Sequence, residues 1–427
     1  MSGQSIVFRG GTIVNPDGNV VADVLVRDGI IEEVGSGLSG DTDVDASGAY
    51  VSSGFVDLHT HLREPGKEEA ETIETGSRAA ALGGYTAVVA MPNTDPAQDS
   101  VMVVRFVRER GEAAGLCEVL PSGCITMGRN GTNLVPYASL AAEGVHIFTD
   151  DGNGVQDPLL MRRALEYAAP LSVTLAQHCE VARLTEGAVM HEGSCCSSLG
   201  VPGWPSIAEE LMLHRDIELV RLTGARMHFL HLSTAGSVEL VRRAKADGLP
   251  ITAEVTPHHL ALQDELLRGF NPLFKVNPPL RTADDIAALK AGLLDGTIDA
   301  LATDHAPHAA HTKEQPLDSA PPGMLGLETA LAVLNTAVNI DPRRIAEVMS
   351  WNPARIAGVA ERQGRPIAVG EPANIAVWDT STVWTVSKDD LASRSKNTPY
   401  HGMEVRGRVR HTMFRGELVV QEGKALK

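Results

Sequence analysis

The hydrophobic positions along the chain fall into two regimes. Residues 5 to about 50 carry short apolar runs, among them Ser5-Ile6-Val7-Phe8-Arg9, Val24-Leu25-Val26 and Ile30-Ile31-Glu32-Glu33-Val34. Turn residues such as Pro16-Asp17-Gly18 and Asp28-Gly29 break them, which predicts short strands. The C-terminal stretch has the same texture in Asn374-Ile375-Ala376-Val377-Trp378, Gly407-Arg408-Val409-Arg410 and Gly416-Glu417-Leu418-Val419-Val420. Two β-rich ends around a different middle predict one small β-sandwich domain, built from residues 1–52 and 366–427.

In the middle, residues 53–365, short apolar runs alternate with stretches of helical period. Eight strands are expected, near 53–59, 85–91, 117–123, 144–149, 172–178, 226–232, 251–255 and 298–303. Helices are expected between them. Pro205 precedes Ser206-Ile207-Ala208-Glu209, which reads as a capping box opening a helix to about 222. Others run from Ser233 to Ala246, from Thr282 to Leu294 with Gly296 closing it, and from Gly326 to Asn339. Eight β-then-α units predict a (β/α)8 TIM-like barrel, with a doubly wound open sheet as the alternative.

The polar residues that end these strands favour the barrel. His59 and His61 follow the first strand, Asn93 the second, Asp150 and Asp151 the fourth, and His178 the fifth. His231 follows the sixth, His258 and His259 the seventh, and Asp304 and His305 the eighth. A barrel gathers all such ends on one face, where active sites of this fold lie; an open sheet would spread them along a line. His59 and His61 are two apart, so on a strand both imidazoles share a side. His228 is an odd number of residues from His231 and is expected to pack outside the barrel. Asp304 can bind a metal or carry a proton. Imidazoles and carboxylates without thiolates suit catalytic zinc, and four His with two Asp suffice for one or two ions.

Composition narrows the partners. A formal charge of -17 argues against nucleic acid or an acidic membrane surface. The sequence has no apolar run of 18 residues, and Met1-Ser2-Gly3-Gln4-Ser5 lacks the basic start and apolar core of a signal peptide. Five cysteines, an odd count without a C-x-x-C pair, predict reduced thiols and a cytoplasmic setting.

Gly54-Phe55-Val56-Asp57-Leu58-His59-Thr60-His61-Leu62-Arg63-Glu64-Pro65-Gly66 resembles the first-strand signature of dihydroorotases in the amidohydrolase superfamily. Asp299-Ala300-Leu301-Ala302-Thr303-Asp304-His305-Ala306-Pro307-His308 resembles their eighth-strand signature, and Met91-Pro92-Asn93-Thr94, Phe148-Thr149-Asp150-Asp151-Gly152 and Val276-Asn277-Pro278-Pro279-Leu280-Arg281 resemble further motifs. The resemblance spans about residues 5 to 420. It implies that His59, His61, Asp151, His178, His231 and Asp304 bind zinc, that Asp151 bridges two ions, and that Asp304 carries the catalytic proton. It implies that His61, Arg63, Asn93, Asn277, His308, Pro322 and Gly323 contact the substrate.

Physical chemistry agrees at Arg63, because a guanidinium binds a ring carboxylate bidentately. On a strand only one of Asp150 and Asp151 faces inward; the resemblance selects Asp151. Many cyclic amidohydrolases bridge their metals with a carboxylated lysine, but no lysine occurs between Lys67 and Lys245. That points away from hydantoinase, dihydropyrimidinase and allantoinase relatives, the alternative activities. An inactive scaffold homologue is the alternative of another class; silent relatives lose ligands, and here all are present. Val181 and Pro322 depart from the family pattern, which expects an acidic and an aromatic residue there. The resemblance further implies a homodimer associating with aspartate carbamoyltransferase. Residues 306–324 are expected to form a lid.

Overall fold

The computed structural model describes residues 4–427, so Met1-Ser2-Gly3 of the N-terminal run lie outside the described residues. Eight short parallel strands form the centre: β1 (Phe55–Thr60), β2 (Tyr85–Ala90), β3 (Glu118–Pro121), β4 (Ile147–Thr149), β5 (Thr174–Gln177), β6 (Met227–Phe229), β7 (Ile251–Val255) and β8 (Ala300–Leu301). β1 to β3 pair in order, as do β4 to β8. Parallel bridges at Gly123–Phe148 and Thr60–His305 join the two groups into a closed barrel. Every residue of β1 and β2 is buried, as expected for strands covered on both faces. Val56, Leu58, Ala87, Val89, Ile147, Ala176, Leu230, Ala300 and Ala302 form one apolar cluster that fills the barrel interior. A larger cluster, with Phe55, Val88, Phe148, Leu175, Phe229 and Leu301, lies between strands and helices.

The β-rich ends pair with each other. Ile375–Thr385 runs antiparallel to Tyr50–Ser53, with Ala376 opposite Ser52. Through that join, strands from both ends make one nine-stranded sheet. In Glu404–Phe414 the first six residues alternate exposed and buried, the pattern of a sheet with one wet face. Its apolar face holds Phe8, Ile13, Val24, Ile31, Val51, Ile375, Val377 and Met413. Trp378 couples the sheet to the barrel: it is fully buried, its Nε1–H donates to Ser52 Oγ at 2.9 Å, and its ring lies 6.0 Å from that of Phe55.

The helices differ from expectation in instructive ways. Ile207–Thr223 is helical, but Ser206 makes no side-chain cap. Glu209, the expected capping-box partner, is buried and accepts from Ser233 and Thr234 instead. The helix expected from Ser233 begins at Ala235, because Thr234 caps it through Ser237 N. Ala283–Asp295 opens on a formed capping box at Thr282 and closes on Gly296 at φ 88°. The helix expected from Gly326 is only Ala330–Ala337. No helix of the described residues is long and apolar enough to cross a membrane. All five cysteines are free and buried.

Candidate active site

The C-terminal mouth of the barrel gathers twelve of the expected residues, and the backbone is bent to do it. Between β1 and β2 the register slips: Asp57 pairs Val88 while Thr60 pairs Ala90, three steps against two. This bulge turns Leu58 and His59 both inward, a common use of bulges beside active sites. Thr60 points the other way, donating to Asp57 Oδ2 at 2.7 Å. Arg63 (φ 63°), His231 (φ 31°) and Asp304 (φ 45°) all sit in left-handed backbone, which costs of order 1–3 kcal/mol per residue and clusters at functional sites.

The histidines converge on Asp151. Its Oδ1 lies 3.3 Å from His59 Nε2, 3.6 Å from His178 Nδ1 and 3.7 Å from His231 Nε2, and its Oδ2 lies 3.5 Å from His61 Nε2. Asp304 Oδ1 lies 3.0 Å from His61 Nε2 and 3.6 Å from His59 Nε2. Two ligand-capable groups share Asp151, one with His59 and His61, the other with His178 and His231. His59 Nε2 and Asp151 Oδ1 are buried without a hydrogen-bond partner. Buried polar atoms are rarely left so, and here they face each other across a gap that a cation fits. Asp150, by contrast, turns away and accepts from Ile125 N, Thr126 N and Thr126 Oγ1.

Electrostatics follow from this packing. Burial opposes charge on His59, but the Asp151 and Asp304 carboxylates raise its pKa well above the usual histidine range. Burial lowers that of His61 against the pull of Asp304. His178 is buried too, yet Asp151 and Glu180 lift it to about 9. For Asp304, burial favours the neutral acid but is outweighed by His59 and His61, so the carboxylate stays ionised.

Above this cluster lies a cavity of about 230 Å³, small beside the usual drug-sized site and suited to a single ring. All the expected residues line it except His59, which sits deeper. Arg63 is buried; burial lowers its pKa to about 10, so it remains a cation at neutral pH. Its Nε–H donates to Pro307 O at 3.0 Å, and its Nη2 lies 3.4 Å from His308 Nε2. Burial, then Arg63, hold His308 neutral, with its pKa at about 3. His61 Nδ1 and Asn93 Oδ1 stand 2.9 Å apart, so Nδ1–H donates and Nε2 is free to face the cluster. Asn277 Oδ1 is buried without a partner.

Several residues of the site escaped sequence reasoning. His228 is not outside the barrel. Its register partner is Thr252, it is fully buried, and its Nε2 lies 3.0 Å from Glu254 Oε2. The parity argument failed because β6 ends at Phe229 and His231 lies beyond it on turned backbone. Glu254 is the larger omission. Its Oε1 lies 2.9 Å from His59 Nδ1 and accepts from the His231 N–H at 3.3 Å. Burial would keep it neutral, yet His228 and His59 hold its pKa at about 2. The signal was a lone carboxylate inside an apolar strand, unaffordable without partners. Glu180 Oε2 likewise sits 2.9 Å from His178 Nε2.

A family model described as dihydro-orotase-like matches residues 48–237. A dihydroorotase of Mycobacterium tuberculosis is 52% identical, covering 99% of this chain and 99% of its own length. Another from Streptomyces coelicolor is 49% identical, covering 98% of this chain and 99% of its own. Among solved structures, an L-hydantoinase (dihydropyrimidinase) from Arthrobacter aurescens aligns with TM-score 0.89 at 24% identity, over 100% of this chain and 98% of that one. Identity that low speaks for the barrel-and-sheet architecture alone.

Proposed function

Because the chain belongs to the dihydroorotase family, we propose that it interconverts N-carbamoyl-L-aspartate and (S)-dihydroorotate, the ring-closing step of de novo pyrimidine biosynthesis. The observation that carries this reading to the site is Arg63. A buried guanidinium at the edge of a ring-sized cavity, next to the histidine cluster, calls for an anionic ring. Uncharged hydantoin or dihydropyrimidine rings give it nothing to bind.

His59, His61, Asp151, His178, His231 and Asp304 are assigned to hold zinc, one or two ions per subunit, on the strength of a nitrogen and oxygen donor set without thiolate. Zinc bound there acidifies water and polarises a carbonyl. The chain's own residues do the rest. Arg63, Asn93 and His308 hold the carboxylate, Asn277 the ring N–H and C=O groups, and Pro322 and Gly323 close the cavity wall. Asp304 takes the proton of the attacking water as the new O–C bond forms at the ring carbonyl. It then passes that proton to the ring nitrogen as the C–N bond breaks. Ring closure moves the same atoms in reverse and takes up a proton as one carboxylate of N-carbamoyl-aspartate becomes the ring carbonyl and water leaves, so acidic pH favours it.

The test is a direct assay with metal analysis. Purified protein should contain zinc and should open dihydroorotate far faster than dihydrouracil or hydantoin. Equal or better turnover of the uncharged rings would move the chain to the hydantoinase side, and metal-free inert protein would make it a scaffold. A homodimer, contact with aspartate carbamoyltransferase and a cytoplasmic setting complete the reading. Five buried free thiols support a reducing compartment. Light-scattering mass, alone and with that partner, measures the assembly.

A further inference from the structure

Two buried lysines lie behind the cavity wall, and the proposed chemistry uses neither. Lys275 and Lys313 are 8% and 5% exposed. Among the described residues, neither ammonium has a carboxylate within salt-bridge range; each is held by backbone carbonyls. Lys313 Nζ donates to Pro321 O at 2.9 Å and to Gly323 O at 3.1 Å, and reaches Lys275 O at 3.5 Å. Lys275 Nζ donates to Leu317 O at 2.7 Å and to Asp318 O at 3.0 Å.

These bonds cross. Lys313 belongs to the 306–324 loop, where its two shorter bonds tie the loop to itself, and its longer contact at Lys275 O reaches the segment that carries Asn277; Lys275 belongs to that segment and reaches back into the loop. The Gly323 N–H donates to Lys275 O at 2.9 Å and completes the crossing. The neck of the loop is held separately. Ala306 N donates to Met324 O at 2.9 Å, and Asn397 Nδ2 donates to Ala306 O and Gly323 O. The lysines therefore govern the body of the loop, between the neck and the cavity.

An ammonium out of water is expensive unless every proton finds an acceptor. Burial, then Lys275, lower the pKa of Lys313 to about 7. An apolar side chain would fill this space at less cost, so the lysines need another reason to be there. The cavity supplies one. The loop provides His308, Pro322 and Gly323 to the cavity lining, and the Lys275 segment provides Asn277. The spacing of those residues sets how a ring is gripped. The loop expected to be a lid is held here by these bonds.

We propose that Lys275 and Lys313 form a reciprocal clasp that fixes the width of the substrate cavity, making them positioning residues for binding rather than for chemistry. This rests on the dihydroorotase reading, since it takes His308 and Asn277 as substrate contacts. Lys313→Met and Lys275→Met keep the aliphatic stem and remove the donors. Each should raise KM for dihydroorotate about tenfold or more, with kcat within threefold and zinc content unchanged. The double variant should add little to the worse single one, because either lysine alone cannot close the clasp. An unchanged KM, or a fall in kcat with loss of zinc, would overturn the proposal.

Amide hydrogen exchange over residues 306–324 needs no substrate and separates the two ideas. Faster exchange in either variant supports the clasp even where wild type proves inactive on dihydroorotate; unchanged protection sinks it even where wild type is active. Should Lys313→Met fail to fold, Lys313→Arg and Lys275→Met carry the same two measurements. Arginine restores donors in poorer geometry and should give an intermediate KM.

Discussion

The barrel mouth and the terminal sheet bury comparable side chains by opposite rules. In the sheet most buried positions are apolar, from Phe8 to Met413, and buried polar side chains such as Asp379 and Thr412 find hydrogen-bond partners within the protein. At the barrel mouth, His59, His61, Asp151, His178, His231, Asp304 and Arg63 are all buried within one small region, three of them on left-handed backbone. Apolar burial stabilises; packing like charges and orphaned polar atoms together does not. The sheet and the helix-facing shell of the barrel therefore supply the stability that the mouth consumes. Sites that break local rules in a fold otherwise consistent with them are where function is expected.

The sharpest way to break this contrast is to exchange one residue in each region. Asp304→Asn should lower kcat by about a thousandfold, within the range for a lost general base, with the fold retained and the loss persisting in protein whose zinc content matches wild type. Trp378→Ala should do the reverse. Removing a fully buried indole and its bond to Ser52 should cost about 3–5 kcal/mol in chemical denaturation and leave kcat/KM of the folded protein nearly unchanged. Near-normal turnover in Asp304→Asn would remove the proton from that residue. A large kcat loss in folded Trp378→Ala would mean that the two regions are not separable.

A smaller effect is expected at Glu254, which bridges the histidines proposed to hold zinc and the barrel interior. Its carboxylate faces the ring nitrogen of His59 opposite the one that looks toward Asp151, and it also takes the His231 main-chain N–H. Partners of this kind fix the tautomer and aim of a ligating imidazole, and their loss costs 10–100-fold in metal affinity or activity. Glu254→Gln should therefore lose zinc to a chelator about 10–100-fold more readily than wild type, and the stabilisation that zinc adds to the melting temperature should shrink. If melting of metal-free and zinc-loaded protein fell equally, Glu254 would belong to the packing regime of the sheet.

What the sequence made legible divides along the same line. Period-2 and period-3.6 patterns predict the eight strands and the helix from Thr282 to Leu294, because each depends on neighbours in the chain, whereas the pairing of the two distant β-rich ends is expected from their shared composition alone. The inward residues of the mouth were legible as polar ends of apolar runs, which is why His178 and Asp304 stand out. Parity failed wherever the chain left regular backbone: the bulge at Leu58 and His59, and the turn that carries His231. Partners from other strands were out of reach, since nothing local in Ala253-Glu254-Val255 announces His59 nearly two hundred residues away. Glu209 shows the converse, a local cap signal overridden by the tertiary partners Ser233 and Thr234.

The finest test of the contrast is at Lys313, where burial of charge is weighed against its usefulness by changing only pH. Folded Lys313 has its pKa lowered by burial to about 7, against an ordinary 10.5 in the unfolded chain. Below about pH 7 both states hold the proton, and folding bears the whole cost of burying the charge. Between about pH 7 and 10.5 the unfolded chain binds more protons, so this residue makes stability rise with pH. Lys313→Met lacks the titration, while other groups titrate alike in both proteins. From pH 6 to pH 8 the wild type should gain about 1.4 kcal/mol relative to the variant in urea unfolding, the worth of one pKa unit. A difference that stayed flat with pH would mean that the ammonium keeps its proton when buried. The three carbonyls would then fully replace its water, and the clasp would burden the fold no more than the apolar packing of the sheet.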